Sequence, residues 1–320
     1  MHSLLYASRA LRKEVFGFRF DYPIETIQEA GSVDSLHYYV SSDSLFLDDL
    51  EFDRNGIAIK HYRAQGLQYN PLFIAWWGLV NLERYLKTAD GECLKKFFLQ
   101  VEWLKSNAVT RDDSTVVWPC YFDWQEGQCQ LKAPWISAMY QGMVISALVR
   151  GFRLTGEAHL LELCQRAARV FETTIQGGGV RTIEGGRVLY EEYPAYPLPR
   201  VLDGFLVSLL GLYDLYNQTQ DKRVCDLFSQ GIEGLTATLK FWNYRNKWSW
   251  YGSHGYLCPP HYHKFNYVLL GVLEKLTGEK ILRQYAEEWD IKSLSWKDKA
   301  EIVLMFILTK NWARLRLPRN

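Results

Sequence analysis

Apolar residues recur at three- and four-residue spacing through nine stretches of this chain, and the first eight fall into pairs. The upstream members run over about 71–87, 136–154, 201–216 and 262–276. Their partners run over about 92–106, 157–175, 222–239 and 279–289, and 297–314 adds a ninth helix. A short polar break joins each pair: Lys87-Thr88-Ala89-Asp90-Gly91-Glu92, Leu154-Thr155-Gly156-Glu157, Gln218-Thr219-Gln220-Asp221 and Leu276-Thr277-Gly278-Glu279. In each break a glycine or polar cluster ends one helix and an acidic residue opens the next, which predicts tight antiparallel hairpins. The four threonines lie 67, 64 and 58 residues apart. Four helical hairpins at a near-constant period predict a mainly α fold, an α/α toroid (an incomplete α/α barrel).

The segments between hairpins, 107–133, 176–200 and 241–261, are long and rich in Trp, Tyr, Gly and Pro. Connections of that length usually carry function, and their aromatics argue against disorder. Each holds strand-like pieces, such as Gly179-Val180-Arg181-Thr182-Ile183 turning through Glu184-Gly185-Gly186 into Arg187-Val188-Leu189-Tyr190. Every such segment leaves the second helix of its hairpin, so all should emerge on one face of the ring, the expected active-site face. Residues 66–320 would form this toroid and 1–65 a small β-rich arm. In the arm, 32–52 alternates as a strand does and Asp53-Arg54-Asn55-Gly56 turns the chain into 57–61. The acidic run Asp43, Asp48, Asp49, Glu51 and Asp53 lacks the ligand spacing of an EF-hand and reads as a solvated strand face.

Composition narrows the function. With 37 Lys and Arg against 36 Asp and Glu, no net field favours nucleic acid or a membrane surface. The N-terminus intersperses its apolar residues with arginines and has no evident signal peptide, and no apolar window is long enough to span a bilayer, so a cytoplasmic protein is expected. The six cysteines form no CxxC and read as free, mostly buried thiols rather than a zinc site, although Cys120 and Cys129 could bridge a hairpin in an oxidising compartment. His254, His261 and His263 stand close in sequence, but the expectation is no metal and no cofactor. Aromatic residues, by contrast, make up 15% of the chain, which suits stacking against sugar rings.

Three polar-aromatic clusters lie in the expected rim: Tyr190-Glu191-Glu192-Tyr193-Pro194, Trp248-Ser249-Trp250-Tyr251-Gly252-Ser253-His254 and His261-Tyr262-His263. From about residue 53 to 290 the chain resembles the D-glucuronyl C5-epimerases of heparan sulfate and heparosan, in their C-terminal helical domain. The resemblance is carried by Gln68-Tyr69-Asn70-Pro71, by Trp135-Ile136-Ser137-Ala138-Met139-Tyr140-Gln141-Gly142, by Tyr190-Glu191-Glu192-Tyr193-Pro194, by Leu202-Asp203-Gly204-Phe205, by Gly211-Leu212-Tyr213-Asp214-Leu215 and by Tyr262-His263. It implies a minimal, bacterial-type member acting on a glucuronate-containing polysaccharide. A homodimer is a separate expectation.

Inverting C5 of a uronate requires removing the proton alpha to its carboxylate and returning one to the other face. Two acid/base groups must flank the ring, with donors or a cation to offset charge in the carboxylate. The resemblance assigns Glu192 and Tyr262 to opposite faces, with Tyr193 and Tyr251 bonding the carboxylate or relaying protons. It places His254 where the family has a substrate-binding arginine, Asp203 where asparagine is common, and Asn266 in place of a second histidine. Substrate contacts are expected from Asn70, Trp135, Gln141, Arg200, His254 and His263, with Arg200 replacing the missing cation. Trp118 and Trp124 could stack on sugars, Trp76 and Trp77 read as core, and Arg150 and Arg153 as surface charge.

Other readings stay open. A uronate lyase shares the first proton abstraction, and a glycan-binding protein needs only the aromatic rim. A glycosidase would require paired carboxylates from among Asp112, Asp113, Asp123, Glu126 and Asp203.

Overall fold

The computed structural model describes residues 18–31, 35–41, 47 and 50–316. Four helical hairpins pack in sequence: α1 (Pro71–Thr88) with α2 (Gly91–Ser106), α3 (Ala138–Thr155) with α4 (Ala158–Ala167), α5 (Leu202–Thr219) with α6 (Lys222–Thr238), and α7 (Pro260–Thr277) with α8 (Lys280–Glu288). Helix α9 (Trp296–Arg316) follows, and the whole is an α/α toroid. Among the described residues, no helix is long and apolar enough to cross a membrane.

The four breaks share one construction. The residue ending each first helix, Ala89, Gly156, Gln220 or Gly278, adopts the left-handed conformation. The preceding threonine hydroxyl donates back to the carbonyl four residues earlier, Arg84, Gly151, Leu215 or Leu273. The same oxygen accepts the amide two residues on, from Asp90, Glu157, Asp221 or Glu279. The repeated threonine thus satisfies groups that a helix end and a helix start would otherwise leave open.

Helices α1, α3, α5 and α7 form the inner ring. α3 and α5 meet backbone to backbone: a Cβ on Gly211 would lie 2.3 Å from the Gly142 carbonyl oxygen, and one on Gly142 2.6 Å from Ser208 Cα. The ring closes between α1 and α7 through Trp76 stacked on Phe265, centroids 5.7 Å apart. The connecting segments carry two-stranded ribbons, as expected: β6 (Val109–Thr110) with β7 (Val116–Val117), β8 (Trp124–Glu126) with β9 (Cys129–Leu131), β10 (Arg181–Glu184) with β11 (Arg187–Tyr190), and β12 (Asn243–Tyr244) with β13 (Trp248–Ser249).

The second helix of the second hairpin, expected to reach residue 175, stops at Ala167 and breaks into 3-10 turns. The returning chain takes its carbonyls: Val170 accepts from Val180, Thr173 from Arg181, and Thr174 from Gly177 and Gly179.

In the expected N-terminal arm, β1 (Glu25–Thr26) pairs with β2 (Val40–Ser41), and β3 (Leu50–Phe52) and β4 (Ala58–Tyr62) form an antiparallel sheet with β5 (Gly66–Gln68), which lies past the expected boundary at residue 65. Residues 32–34, 42–46 and 48–49 of the expected strand over 32–52, Asp43, Asp48 and Asp49 among them, lie outside the described residues. Residues 28–31 and 35–39 cross the end of the ring away from the connecting ribbons, whereas Phe18 and Phe20 pack on Trp248 of β13 and Tyr22 on His261 at the start of α7. Gln28 and Gly31 meet Lys275 and Leu276 of α7, His37 meets Glu83 of α1 at 2.9 Å, and Tyr39 donates to Asp214 of α5 at 2.7 Å.

Arg150 corrects the sequence reading. Rather than a surface charge it is 1% exposed, paired with Asp214 at 2.7 Å, and donates to the Leu36, His37 and Ser146 carbonyls. Arg153, half-buried, donates to Ser35 O and Gln218. Cys120 and Cys129 are buried free thiols.

The helix contact generates a paired prediction. Gly211→Ala should destabilise the fold by about 1–3 kcal/mol through overpacking, although alanine favours an isolated helix by about 1 kcal/mol. Gly271→Ala, in α7 with nothing within 4 Å of the added Cβ, should stabilise by up to about 1 kcal/mol. Urea unfolding of the two variants beside the parent checks both signs.

Candidate active site

All four inner helices start at the same cavity, a hollow of about 470 Å³. The first turns of α1 (Leu72, Phe73, Trp76), α3 (Met139, Tyr140), α5 (Asp203) and α7 (His261, Tyr262, Phe265) line its base. Connecting segments supply Phe122, Trp124, Glu192, Tyr193 and Tyr251, and strand β4 supplies Lys60 and Tyr62. Asn70 and Ser137 cap α1 and α3 through their side chains, whereas α5 and α7 have no side-chain cap.

The structure brings together Glu192, Tyr193, Tyr251 and Tyr262. Adjacent glutamates divide their work: Glu191 is buried beside Arg200 and accepts from Thr182 Oγ1 at 2.8 Å, while Glu192 Oε2 is buried without a hydrogen-bond partner. Gly204 makes room for it, since a Cβ there would lie 2.4 Å from both Glu192 Cβ and Oε2. Burial and then the neighbouring Asp203 charge push the Glu192 carboxyl well above the usual carboxylate range, against the Tyr193 hydroxyl. Asp203 is pushed up to about 7 by burial, against its own amide and that of Gly204, and its Oδ1 is likewise unpartnered.

Tyr251 and Tyr262 are open to the cavity yet deep in the fold, with ring centroids 5.7 Å apart. Burial, then nearby carboxylates, raises the hydroxyls of Tyr193, Tyr251 and Tyr262 well above 10. At neutral pH they are therefore donors. Burial, with Lys310, lowers His261 to about 4, so it is a neutral ring.

Six residues expected to contact substrate are not part of this cavity's lining. Asn70 is fully buried, accepting from the Leu72 amide and donating to the Tyr62 hydroxyl at 2.6 Å; it stands beneath the wall and orients Tyr62. Gln141 bonds the Trp118 amide and the Val116 carbonyl, fastening α3 to its connecting segment. Trp135 donates to Phe122 O and packs on Tyr140 and Tyr193 from behind. Arg200 is spent on Glu191 and Glu184.

His263 is stacked on Trp248 at 3.6 Å and buried. Because the Ser249 amide donates to its Nδ1, its Nε2 must carry the proton donated to Trp289 O. Burial lowers it to about 3, so it is a neutral structural ring. His254 packs on Tyr251 at 4.8 Å, with Nε2 2.8 Å from Glu126 Oε1 but poorly aligned for a hydrogen bond. It faces a neighbouring hollow of about 320 Å³ with Trp312 and Arg316.

Trp118, a candidate stacking residue, is core, donating to Leu104 O, whereas Trp124 does line the cavity. Trp76 is buried as expected and also forms part of the floor. Asp112, Asp113 and Asp123 are exposed and outside the cavity lining. Lys60 and Tyr62 were not anticipated. The available signal was that the hairpin 58–68 runs directly into the N-cap of α1, which sets its strands over the helix start. Among the described residues, no three His, Cys, Asp or Glu side chains are grouped so as to hold a metal ion.

The family described as D-glucuronyl C5-epimerase C-terminus matches residues 111–291. The chain is 29% identical over 211 residues to the D-glucuronyl C5-epimerase of Caenorhabditis elegans, an overlap of 60% of this chain and 34% of that protein. It therefore spans about a third of that relative's length. Among solved structures, a GH76 α-mannanase from Bacteroides thetaiotaomicron superposes with a TM-score of 0.50 at 12% identity, covering 84% of this chain and 78% of that one. A D-mannose isomerase superposes at 0.45 and 12% identity, covering 89% and 68%. The mannanase agrees with the toroid fold; the second likeness is too distant to add to it.

The raised carboxyls have a consequence for stability. A carboxyl whose folded value exceeds its unfolded one stabilises fully below about pH 4, and that contribution is lost as pH rises through the folded value. Stability should therefore fall between about pH 4 and Asp203's value of about 7, by up to about 1.4 kcal/mol per pH unit per proton. Urea unfolding across this range should show the slope in the parent and a flatter one in Asp203→Asn.

Proposed function

The chain belongs to the D-glucuronyl C5-epimerase C-terminal family, and we propose that it inverts C5 of D-glucuronate residues in a heparosan-like polysaccharide to give L-iduronate. The observation that carries this reading is one unpaired carboxyl, Glu192, sharing a cavity with the three protonated phenols Tyr193, Tyr251 and Tyr262.

H5 is alpha to the uronate carboxylate, so its removal drives charge into that carboxylate. Glu192 takes the proton on one face of the ring, and the Tyr262 hydroxyl supplies one on the other. Tyr193 and Tyr251 donate to the carboxylate as its charge grows, where fixed donors act most strongly. Lys60, half-buried in the wall and 4.9 Å over the Phe73 ring, adds a cation. Tyr62 and Trp124 offer faces to the sugar ring. The hollow beside His254 leaves space for a flanking sugar.

Incubation with heparosan in deuterated water tests the reaction. The expected product carries deuterium at C5 with its chain length unchanged. An unsaturated uronate absorbing in the ultraviolet would mean elimination instead, and an unaltered polymer would leave only glycan binding.

Two substitutions test the assignment of faces. Tyr262→Phe and Glu192→Gln should each lose net inversion by about 10²–10⁴-fold, while each retains exchange into a different epimer. Near-native inversion by both would refute the two-face scheme.

Gly204→Ala checks the space that Glu192 requires, because the new Cβ would meet its carboxylate at 2.4 Å. Inversion should fall about as far as in Glu192→Gln, with the helical circular dichroism retained.

A further inference from the structure

The scheme uses one carboxyl, but two face the cavity. Glu192 Oε2 and Asp203 Oδ1 are each buried without a hydrogen-bond partner. Glu192 Oε2 lies against Gly204, the residue after Asp203, so the pair occupies one corner at the start of α5. No salt bridge reaches either of them among the described residues, and the neighbouring Arg200 is held by Glu191 and Glu184.

Like charges in a desolvated corner cannot both ionise, and such a pair titrates as one unit holding one proton. The surrounding elements do not cancel the repulsion. Glu126 on β8 adds a further carboxylate, whereas Tyr140 on α3, Tyr193 beside Glu192, Tyr251, and Tyr262 on α7 are neutral phenols. Lys60 on β4 stands in the wall. The amides of Asp203 and Gly204 favour the anion on Asp203, and the Tyr193 hydroxyl favours it on Glu192. Neither carboxyl has a monopoly of support.

Burial favours the neutral form of Glu192, and Tyr262 is protonated, so the resting site is short of a base unless the carboxyl proton has another place to sit. We infer that Asp203 shares a single proton with Glu192, holding it while Glu192 takes H5 from the substrate. This rests on the C5-inversion reading.

In one direction the proton sits on Asp203. Anionic Glu192 accepts H5, the electron pair of the C5–H bond enters the substrate carboxylate, and the Tyr262 hydroxyl then protonates C5 from the other face. Both carboxyls are now neutral and Tyr262 is a phenolate. Return of one proton from the pair to Tyr262 restores the start. In the reverse direction the Tyr262 phenolate takes H5 and Glu192 donates. A single negative charge moves between the pair and the phenol, and neutral Asp203 removes the charge that otherwise disfavours the phenolate.

Infrared titration of protonated carboxyl bands, on the whole protein without substrate, reads the pair directly. The parent should release its two carboxyl protons in two steps and hold one per chain at neutral pH. In Asp203→Asn and in Glu192→Gln, the remaining carboxyl should titrate in one step, at least about one pH unit below the parent's second, because its like-charged neighbour is gone. The acid limb of C5 deuterium exchange with heparosan follows the first step and should move to higher pH in Asp203→Asn, where burial keeps the proton on Glu192. A purely structural loss would instead lower exchange equally at every pH.

An unmoved infrared midpoint in either variant overturns the shared proton. Should Asp203→Asn not fold, the Glu192→Gln titration decides alone. A shifted midpoint without any exchange into heparosan leaves the pair standing and removes the C5-inversion reading. Exchange with an unmoved midpoint does the reverse.

Discussion

Everything at the cavity depends on four helices starting in the same place. Each hairpin places its first helix inward and its second outward, so α1, α3, α5 and α7 run in the same direction and present their N-termini together. Each helix start carries roughly half a positive charge. At α5 and α7, which lack side-chain caps, first-turn amides remain for anions. That field suits a site in which Glu192 and Asp203 are buried without cations, and in which a uronate would gain further charge. The gathering relies on α3 and α5 touching backbone to backbone at Gly142 and Gly211. It also lets the Ala138 amide at the start of α3 take the Glu191 carbonyl at 3.2 Å, which seats the loop bearing Glu192.

The hairpins were legible because their signals are local. A threonine, a left-handed residue and an acid within four positions specify a helix stop and restart, whatever lies beyond. The cluster Tyr190–Pro194 was legible for a related reason: β11 ends there, and its alternation sends Glu191 towards Arg200 and Glu192 to the cavity. The side of the wall on which a residue falls was not legible. Asn70, Gln141 and His263 occupy motif positions, yet their hydrogen bonds are made to backbone amides, carbonyls and neighbouring side chains behind the cavity. A short motif marks a residue as constrained without saying by what.

Long-range pairing was the other blind spot. Arg150 sits at the polar end of a helix and reads as surface until Asp214, 64 residues later, is placed against it. Lys60 precedes the first motif block and reaches the cavity only because β4 folds over the start of α1. In both cases the deciding partner is remote in sequence, and no periodicity within a window can supply it.

The strap at the far end alters how such a ring comes apart. Hairpins stacked only on their neighbours form a nearly one-dimensional array, and arrays of that kind fray from their terminal units. Here residues 28–31 and 35–39 touch α7 through Gln28 and Gly31, α3 through Ser35, α1 through His37 and α5 through Tyr39. The first and last hairpins are thereby joined beneath the ring as well as by Trp76 on Phe265 above it. In an array tied in this way, opening at either terminal hairpin must also break contacts anchored on the central ones.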